Sequence, residues 1–162
     1  MSKRHDKLGI KQTIQKHWMD HVVKMMLAGL EEKEIRAELD KFLAKEKLYE
    51  GTIPKTHAFI KSMLSSWFAP DKELIPFRNH ALKLIQSEKT QNWLPFHWSI
   101  ISASYPFWFN VAKQTGRLFN LQNQITTKQI SIRLREQYGD RESVWHYAGY
   151  VIRSFVAWGV LK

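Results

Sequence analysis

Apolar residues recur along most of the chain with the period of an α-helix. Between residues 14 and 26 they are spaced by four, four, three and one, which predicts an amphipathic helix that ends near Gly29. The same spacing predicts helices over 31–43, 56–67, 76–87, 95–103 and 107–121, with Phe59 and Phe77 on buried faces. No alternation with a period of two persists, and no Asn-Gly or Asp-Gly turn is present. The predicted fold class is therefore mainly α.

The last third of the chain carries the clearest local signals. Thr126 is suited to begin a helix, and Gln129 three residues later completes a capping box. This helix is predicted to end at Gly139, and Asp140 is expected to cap the next one. Apolar residues lie on one face of each helix: Ile130, Leu134 and Tyr138 in the first, and Val144, Ala148, Val151 and Phe155 in the second.

A helix, a short turn with glycine and a second helix are typical of a helix-turn-helix, and the flanks favour its winged-helix form. Residues 124–126 suit a short strand, and residues 158–161 suit an apolar strand after the recognition helix. A wing needs a β-hairpin after Leu161, so we expect it to be absent or to lie beyond Lys162. Two domains are predicted: an N-terminal helical bundle with a basic arm (1–104) and a helix-turn-helix, winged-helix-like unit (105–162).

Composition excludes several classes of protein, and the distribution of charge indicates an anionic partner. The 162 residues are 44% hydrophobic, which excludes a disordered tail, and the absence of cysteine excludes disulfides and iron–sulfur clusters and favours the cytoplasm. No apolar run approaches the length of a membrane span. Most of the net charge of +10 lies at the ends, because residues 1–16 carry +4 and residues 111–162 carry +5. This distribution suggests nucleic acid, a lysine-rich solvated surface being the alternative.

The predicted recognition helix has a polar face opposite its apolar one, where Gly149 would allow close approach of a ligand. Side chains that donate hydrogen bonds to phosphates or base edges stand on or beside this face. Those expected to enter or border the major groove are Arg141, Ser143, His146, Tyr150 and Arg153. Those expected to hold phosphates are Lys128, Arg133 and Arg135, together with Lys3, Arg4, Lys7 and Lys11 of the basic arm. The alternative interpretation is an ordinary solvated helix.

No catalytic pattern is present in the sequence. It contains no Gly-x-Ser-x-Gly elbow, Walker loop or Gly-x-Gly-x-x-Gly motif. His17 and His21, one helical turn apart, could ligate a metal, but no third ligand follows at a recognisable spacing. His97 lies in the most apolar segment and is expected to be a core residue with satisfied hydrogen bonds. We therefore expect no enzymatic activity, no metal and no cofactor.

The order of these features resembles that of a known family. A helical bundle is followed by His97-Trp98, by residues 105–107 (Tyr-Pro-Phe), and by a winged-helix-like end with residues 133–139 and Trp158-Gly-Val-Leu161. This order is similar to that of the small helical BrxA-type proteins of bacterial phage-exclusion (BREX) and related defence systems. The resemblance implies a non-enzymatic component of a phage-defence system that binds double-stranded DNA. A scaffold for other defence proteins and a helical RNA-binding protein stay open as alternatives.

Overall fold

The computed structural model describes residues 8–46, 53–89 and 91–162. Within these ranges the chain forms eight α-helices, a short 3-10 helix over Lys72–Leu74 and no β-strand, so the predicted fold class is confirmed. The α-helices are α1 (Lys16–Leu27), α2 (Glu32–Lys45), α3 (Ile53–Phe68), α4 (Ile75–Glu88), α5 (Leu94–Ser104), α6 (Pro106–Phe119), α7 (Thr127–Tyr138) and α8 (Glu142–Ala157).

The chain divides into two compact units. One, here called the middle unit, comprises residues 15–101, and the other, the terminal unit, joins the N-terminal residues up to Ile14 to residues 102–162. The sequence-based division instead placed the N-terminal segment with the first bundle. The structure groups it with the C-terminal helices because Leu8, Ile10 and Ile14 are buried and the backbone of Ile14 bonds to the side chains of Ser154 in α8 and of Trp158 directly after it. Local periodicity cannot identify so distant a packing partner.

In the middle unit, α1, α2 and α3 pack against one another. The predicted end of the first helix is confirmed, since Gly29 has a φ of 87° and Leu30 N–H donates to the carbonyl of Met25, which closes a Schellman motif. Two predicted core residues are more exposed than expected. Phe59 is 36% exposed because it lies at the edge of the apolar stripe of α3. Phe77 is 43% exposed in the first turn of α4, although it precedes the buried Ala81 by one helical turn.

In the terminal unit, α6, α7 and α8 contact one another pairwise. The predicted capping box is confirmed: Thr126 Oγ1 accepts from Gln129 N–H at 3.2 Å, and Thr126 N–H donates to Gln129 Oε1 at 2.8 Å. The predicted core of α8 is confirmed as well. Its buried residues include Val144, Ala148, Val151 and Phe155. In α7, Ile130 and Leu134 are buried as predicted, whereas Tyr138 is only half-buried.

The capping box supports a first testable prediction. We expect Thr126→Ala to lower the free energy of unfolding by about 1 kcal/mol, because the N–H of Gln129 loses its acceptor at the start of α7. Urea unfolding followed by circular dichroism measures this change. Thr127→Ala, at an exposed position of the same turn, is the control and should have a smaller effect. Equal effects of the two substitutions would contradict a stabilising cap.

Both strands of the predicted winged helix are wrong, and so is one predicted cap. Residues 124–126 form a loop without strand pairing. Residues 158–161 complete a Schellman motif, in which Gly159 has a φ of 74° and Val160 N–H donates to the carbonyl of Phe155 at 2.9 Å. Glycine after an aromatic residue therefore ends α8 here instead of beginning a strand. The N-cap of α8 is Arg141, and Asp140 forms an ion pair with Arg135.

Candidate nucleic-acid interface

Positive charge from both ends of the sequence gathers in the terminal unit. Its described residues, 8–14 and 102–162, include nine basic side chains: Lys11, Lys113, Arg117, Lys128, Arg133, Arg135, Arg141, Arg153 and Lys162. Only three acidic side chains accompany them: Glu136, Asp140 and Glu142. Residues 15–101 are nearly balanced, with 13 basic and 11 acidic residues. An anionic partner would therefore be attracted to the unit that contains α6, α7 and α8.

The N-terminal segment, residues 8–14, is bonded to the C-terminal half of α8. Ile14 N–H donates to Ser154 Oγ at 2.9 Å, and the carbonyl of Ile14 accepts from Trp158 Nε1 at 2.8 Å. Arg153 Nε adds a longer bond of 3.4 Å to Thr13 Oγ1. Because these bonds are backed by buried side chains, the segment has a defined place beside the predicted recognition helix.

The basic arm is described only in part. Lys11 is exposed on the N-terminal segment, in the same unit as α8. The other predicted phosphate contacts of the arm, Lys3, Arg4 and Lys7, lie outside the described residues.

The five predicted groove residues, four in α8 and Arg141 at its N-cap, differ in exposure and in their hydrogen bonds. His146 is exposed, with Nε2 3.3 Å from Glu142 Oε1, while Ser143 and Tyr150 are half-buried. Arg141 is exposed and donates from Nε to the carbonyl of Tyr138 at 3.1 Å. The structure thus leaves His146 exposed in the first half of the helix, beside the still more exposed carboxylate of Glu142.

Arg153 lies along the surface of α8. Its guanidinium carbon is 4.8 Å from the centroid of the Tyr150 ring, and a Cβ at Gly149 would come within 3.3 Å of Nη1. The sequence predicted that Gly149 admits a ligand, but in the structure the glycine accommodates the Arg153 side chain. Arg153 would have to leave this position to reach a base edge.

The three predicted phosphate contacts of α7 fall into two groups. Lys128 and Arg133 are exposed, and neither is hydrogen-bonded or ion-paired to another described residue. Arg135 is half-buried, with Nε 3.1 Å from Asp140 Oδ1 and its guanidinium carbon 5.1 Å from the centroid of the Trp145 ring. Arg135 therefore ties the turn between α7 and α8, whereas the other two cations are available for phosphates.

Two further cations of the terminal unit, Lys113 and Arg117, are not among the predicted site residues. Lys113 and Arg117 are exposed on α6, which contains no acidic residue. Neither has a described hydrogen-bonding or ion-pair partner. The sequence signal that could have identified them is their spacing of four residues, which places both on the side of the helix opposite the buried Val111, Thr115 and Leu118.

In the middle unit, a row of hydrogen-bonded side chains satisfies the buried ring of His97. The ring of His97 is fully buried, with Nδ1 accepting from Trp67 Nε1 at 3.0 Å and Nε2 2.7 Å from Asp20 Oδ1. Lys16 Nζ donates to Asp20 Oδ2 at 2.9 Å. Burial lowers the pKa of His97, although the hydrogen bond to Asp20 opposes that shift. The expectation of a satisfied core histidine is confirmed.

The candidate metal pair also has other partners. His17 Nε2 is 2.9 Å from Glu46 Oε1, and the His21 ring stacks on Phe42 with a centroid distance of 4.1 Å. Burial, together with the charge of Lys24, lowers the pKa of His21. Over the described ranges no group of three metal-ligating side chains is found. Over the same residues no helix is both long enough and apolar enough to cross a membrane.

No protein-family model, curated protein or solved structure shows significant similarity to this chain. Its function is therefore inferred from the charge and geometry of the terminal unit.

Proposed function

We propose that the protein binds double-stranded DNA through its terminal unit and acts as a non-enzymatic component. The observation that supports this most is the concentration of charge: nine cations and three acids share the unit that holds α7 and α8. Duplex DNA presents a dense row of phosphates, and neutralising them with Lys and Arg supplies most of the non-specific affinity of a protein. A nearly balanced middle unit offers no comparable attraction.

The helix pair suits a helix-turn-helix mode of binding. Residues 139–141 form a three-residue turn with glycine between α7 and α8, and α6 packs against both helices. In such motifs the second helix enters the major groove, and the preceding elements contact the backbone. The polar face of α8, with His146 at its centre, would then face base edges. Lys128 and Arg133 would hold phosphates because no described carboxylate competes for them.

The remaining cations are assigned by the partners they already have. Arg135 would position the turn, since its ion pair with Asp140 and its stacking on Trp145 fix both ends of the α7–α8 junction. Arg141 and Arg153 would border the groove, since each donates only its Nε–H within the protein and keeps the other N–H groups of its guanidinium for DNA. Lys11 would add a phosphate contact from the N-terminal segment.

The proposal is tested by the salt dependence of duplex binding. With a labelled duplex in fluorescence anisotropy, we expect log K to fall linearly with log salt, by about 0.9 per phosphate neutralised. The double variant Lys128→Gln with Arg133→Gln should lower that slope by about 1.8 and weaken binding at low salt. The control, Lys72→Gln with Lys83→Gln, removes the same charge from exposed positions of the middle unit and should bind like the parent protein.

Three outcomes would contradict the proposal. They are an absence of binding at low salt, a slope near zero, and an equal loss of affinity in both double variants. Competition with duplex RNA of the same length distinguishes the RNA-binding alternative, because A-form RNA keeps its bases in a deep, narrow major groove that side chains cannot read.

The biological setting is proposed from the resemblance to BrxA-type proteins. That resemblance favours a role in phage defence, in which other proteins of the system would bind the same chain. Copurification from the native host at high salt tests this setting, since partners held by apolar contacts persist when phosphate contacts are screened. Recovery of no defence protein would contradict it and leave the DNA-binding proposal unchanged.

A further inference from the structure

The outward side of α6 carries side chains that have no role in the proposed contact with duplex DNA. At 100° per residue, one set of side chains lies opposite the buried face of the helix. We call it the α6 face, and its members are Phe109, Lys113, Gly116, Arg117 and Asn120. Phe109 is 51% exposed, and the two cations follow it at one and two helical turns. An apolar ring and two cations without described partners thus share one strip.

Gly116 is the second unusual feature of the α6 face. A glycine inside a helix weakens it relative to alanine, so a packing reason is expected. None is found, because a Cβ at Gly116 would meet nothing within 4 Å. The glycine instead leaves the strip between Lys113 and Arg117 without a side chain, where a ligand could approach the helix closely.

The chemistry of the α6 face indicates the class of its occupant. A partner helix docks on apolar anchors at several successive turns, and a membrane surface needs a broad apolar face. The α6 face offers one ring, followed by cations, and no acidic residue. An exposed aromatic ring for stacking on a base, beside cations for the phosphates, is the combination used to bind unpaired nucleic-acid strands.

We propose that the α6 face binds an unpaired nucleic-acid strand, with the Phe109 ring stacked on a base and Lys113 and Arg117 on its phosphates. Close approach of the strand is permitted by Gly116. The inference deepens the proposed function, on which it rests, because the terminal unit would then hold a duplex through α7 and α8 and an adjoining unpaired segment through α6. Junctions between paired and unpaired DNA would be preferred over blunt duplex.

Three labelled DNA probes in fluorescence anisotropy test this inference: a blunt duplex, the same duplex with an unpaired overhang, and a single strand. We expect the overhang to increase the affinity of the parent protein. Phe109→Ala should remove this gain, weaken single-strand binding about tenfold and leave blunt-duplex affinity unchanged, since stacking on one base is lost. The control is Phe77→Ala, which removes an exposed ring from the middle unit and should change none of the three affinities.

Two further variants separate binding from folding. Lys113→Gln with Arg117→Gln should lower the salt slope for the single strand by about 1.4, at about 0.7 per phosphate. Gly116→Ala should raise the melting temperature by about 2 °C and weaken single-strand binding, because the added methyl group obstructs the strand. A higher melting temperature with unchanged single-strand affinity would overturn the role given to Gly116.

The outcomes for the two proposals are distinguishable. Blunt-duplex binding without any gain from the overhang overturns the inference about α6 and leaves the proposed function intact. Single-strand binding without duplex binding supports the α6 face and overturns the proposed function. Polyglutamate that competes as well as the single strand, with no effect of Phe109→Ala, overturns the inference in favour of an acidic protein segment.

Discussion

Replacement of Ile14 by alanine is expected to lower the free energy of unfolding by about 3 kcal/mol, because it opens a cavity where the N-terminal segment packs on α8. The Ile14 side chain is fully buried, and its backbone bonds to Ser154 and Trp158 close contacts more than 130 residues apart in sequence. Ile132→Ala is the matched control, since Ile132 is 45% exposed on α7 and should cost far less. Urea unfolding of both variants measures the difference.

The backbone bonds provide a second measure of the same packing. Ser154→Ala removes the acceptor of the buried Ile14 N–H, and a buried donor left unsatisfied costs about 1–3 kcal/mol. The two substitutions should be coupled in a double-mutant cycle, because both loosen the same segment. Additive effects, or an Ile14→Ala variant as stable as Ile132→Ala, would contradict a structural role for the N-terminal segment.

Ile14 also shows where helical periodicity misleads. It precedes Trp18 by four residues and so continues the apolar face of the first predicted helix. In the structure α1 begins only at Lys16, and Ile14 belongs to the terminal unit. The spacing of apolar residues predicts that a residue is buried, but it does not identify the element that packs against it. Burial was therefore predictable here, and the partner was not.

Some helix ends could be predicted from local sequence signals and others could not, because only some of these signals are complete within a few residues. The capping box of Thr126 and Gln129 involves two side chains and two backbone groups within four residues, so the sequence contains all of it. At α8 the N-cap is one residue later than predicted, at Arg141, and the carboxylate of Asp140 lies 3.1 Å from Arg135 Nε. Gly159 suits either a strand or a Schellman motif, and a strand requires a neighbouring strand that the described residues do not include.

The residue types of the candidate site and the helix faces they occupy could be predicted from the sequence. Which of its cations are free to contact a ligand could not. The charged positions of α7 and α8 follow from periodicity, and the structure places Lys128, Arg133 and Arg141 on the surface as expected. What periodicity omits is which cations are already engaged. Only the side-chain conformations show that Arg135 is ion-paired and that Arg153 lies across Gly149.

The second large effect is expected from acidification. As the pH falls from 7 to 5, the free energy of unfolding should decrease by at most about 2 kcal/mol through His97 alone, since one pKa unit corresponds to 1.36 kcal/mol and the unfolded histidine has a pKa near 6.5. Burial lowers the pKa of His97 in the folded chain. Below pH 6.5 the unfolded chain therefore binds a proton that the folded chain does not, and stability is lost until the folded pKa is reached.

Geometry adds a reason why folded His97 resists protonation. The Trp67 indole can only donate, so Nδ1 must accept, and the neutral ring carries its proton on Nε2 and donates it to Asp20. A second proton on Nδ1 would face the indole N–H and break that bond. Trp67→Phe removes this conflict and should raise the pKa of His97, which the NMR titration of its ring reports. An unchanged pKa in that variant would contradict the assigned tautomer.

Two substitutions separate His97 from the other groups that titrate. His97→Gln retains a donor and an acceptor but does not titrate, so its unfolding free energy should be lower at pH 7 and nearly constant down to pH 5. His80→Gln, at an exposed position of α4, should keep the slope of the parent protein. Asp20 titrates in a separate pH range. Burial raises its pKa, but the hydrogen bonds from His97 and Lys16 outweigh burial and lower the pKa overall. Its contribution to stability is therefore lost only below about pH 4. An undiminished slope in His97→Gln would assign the acid sensitivity to another group.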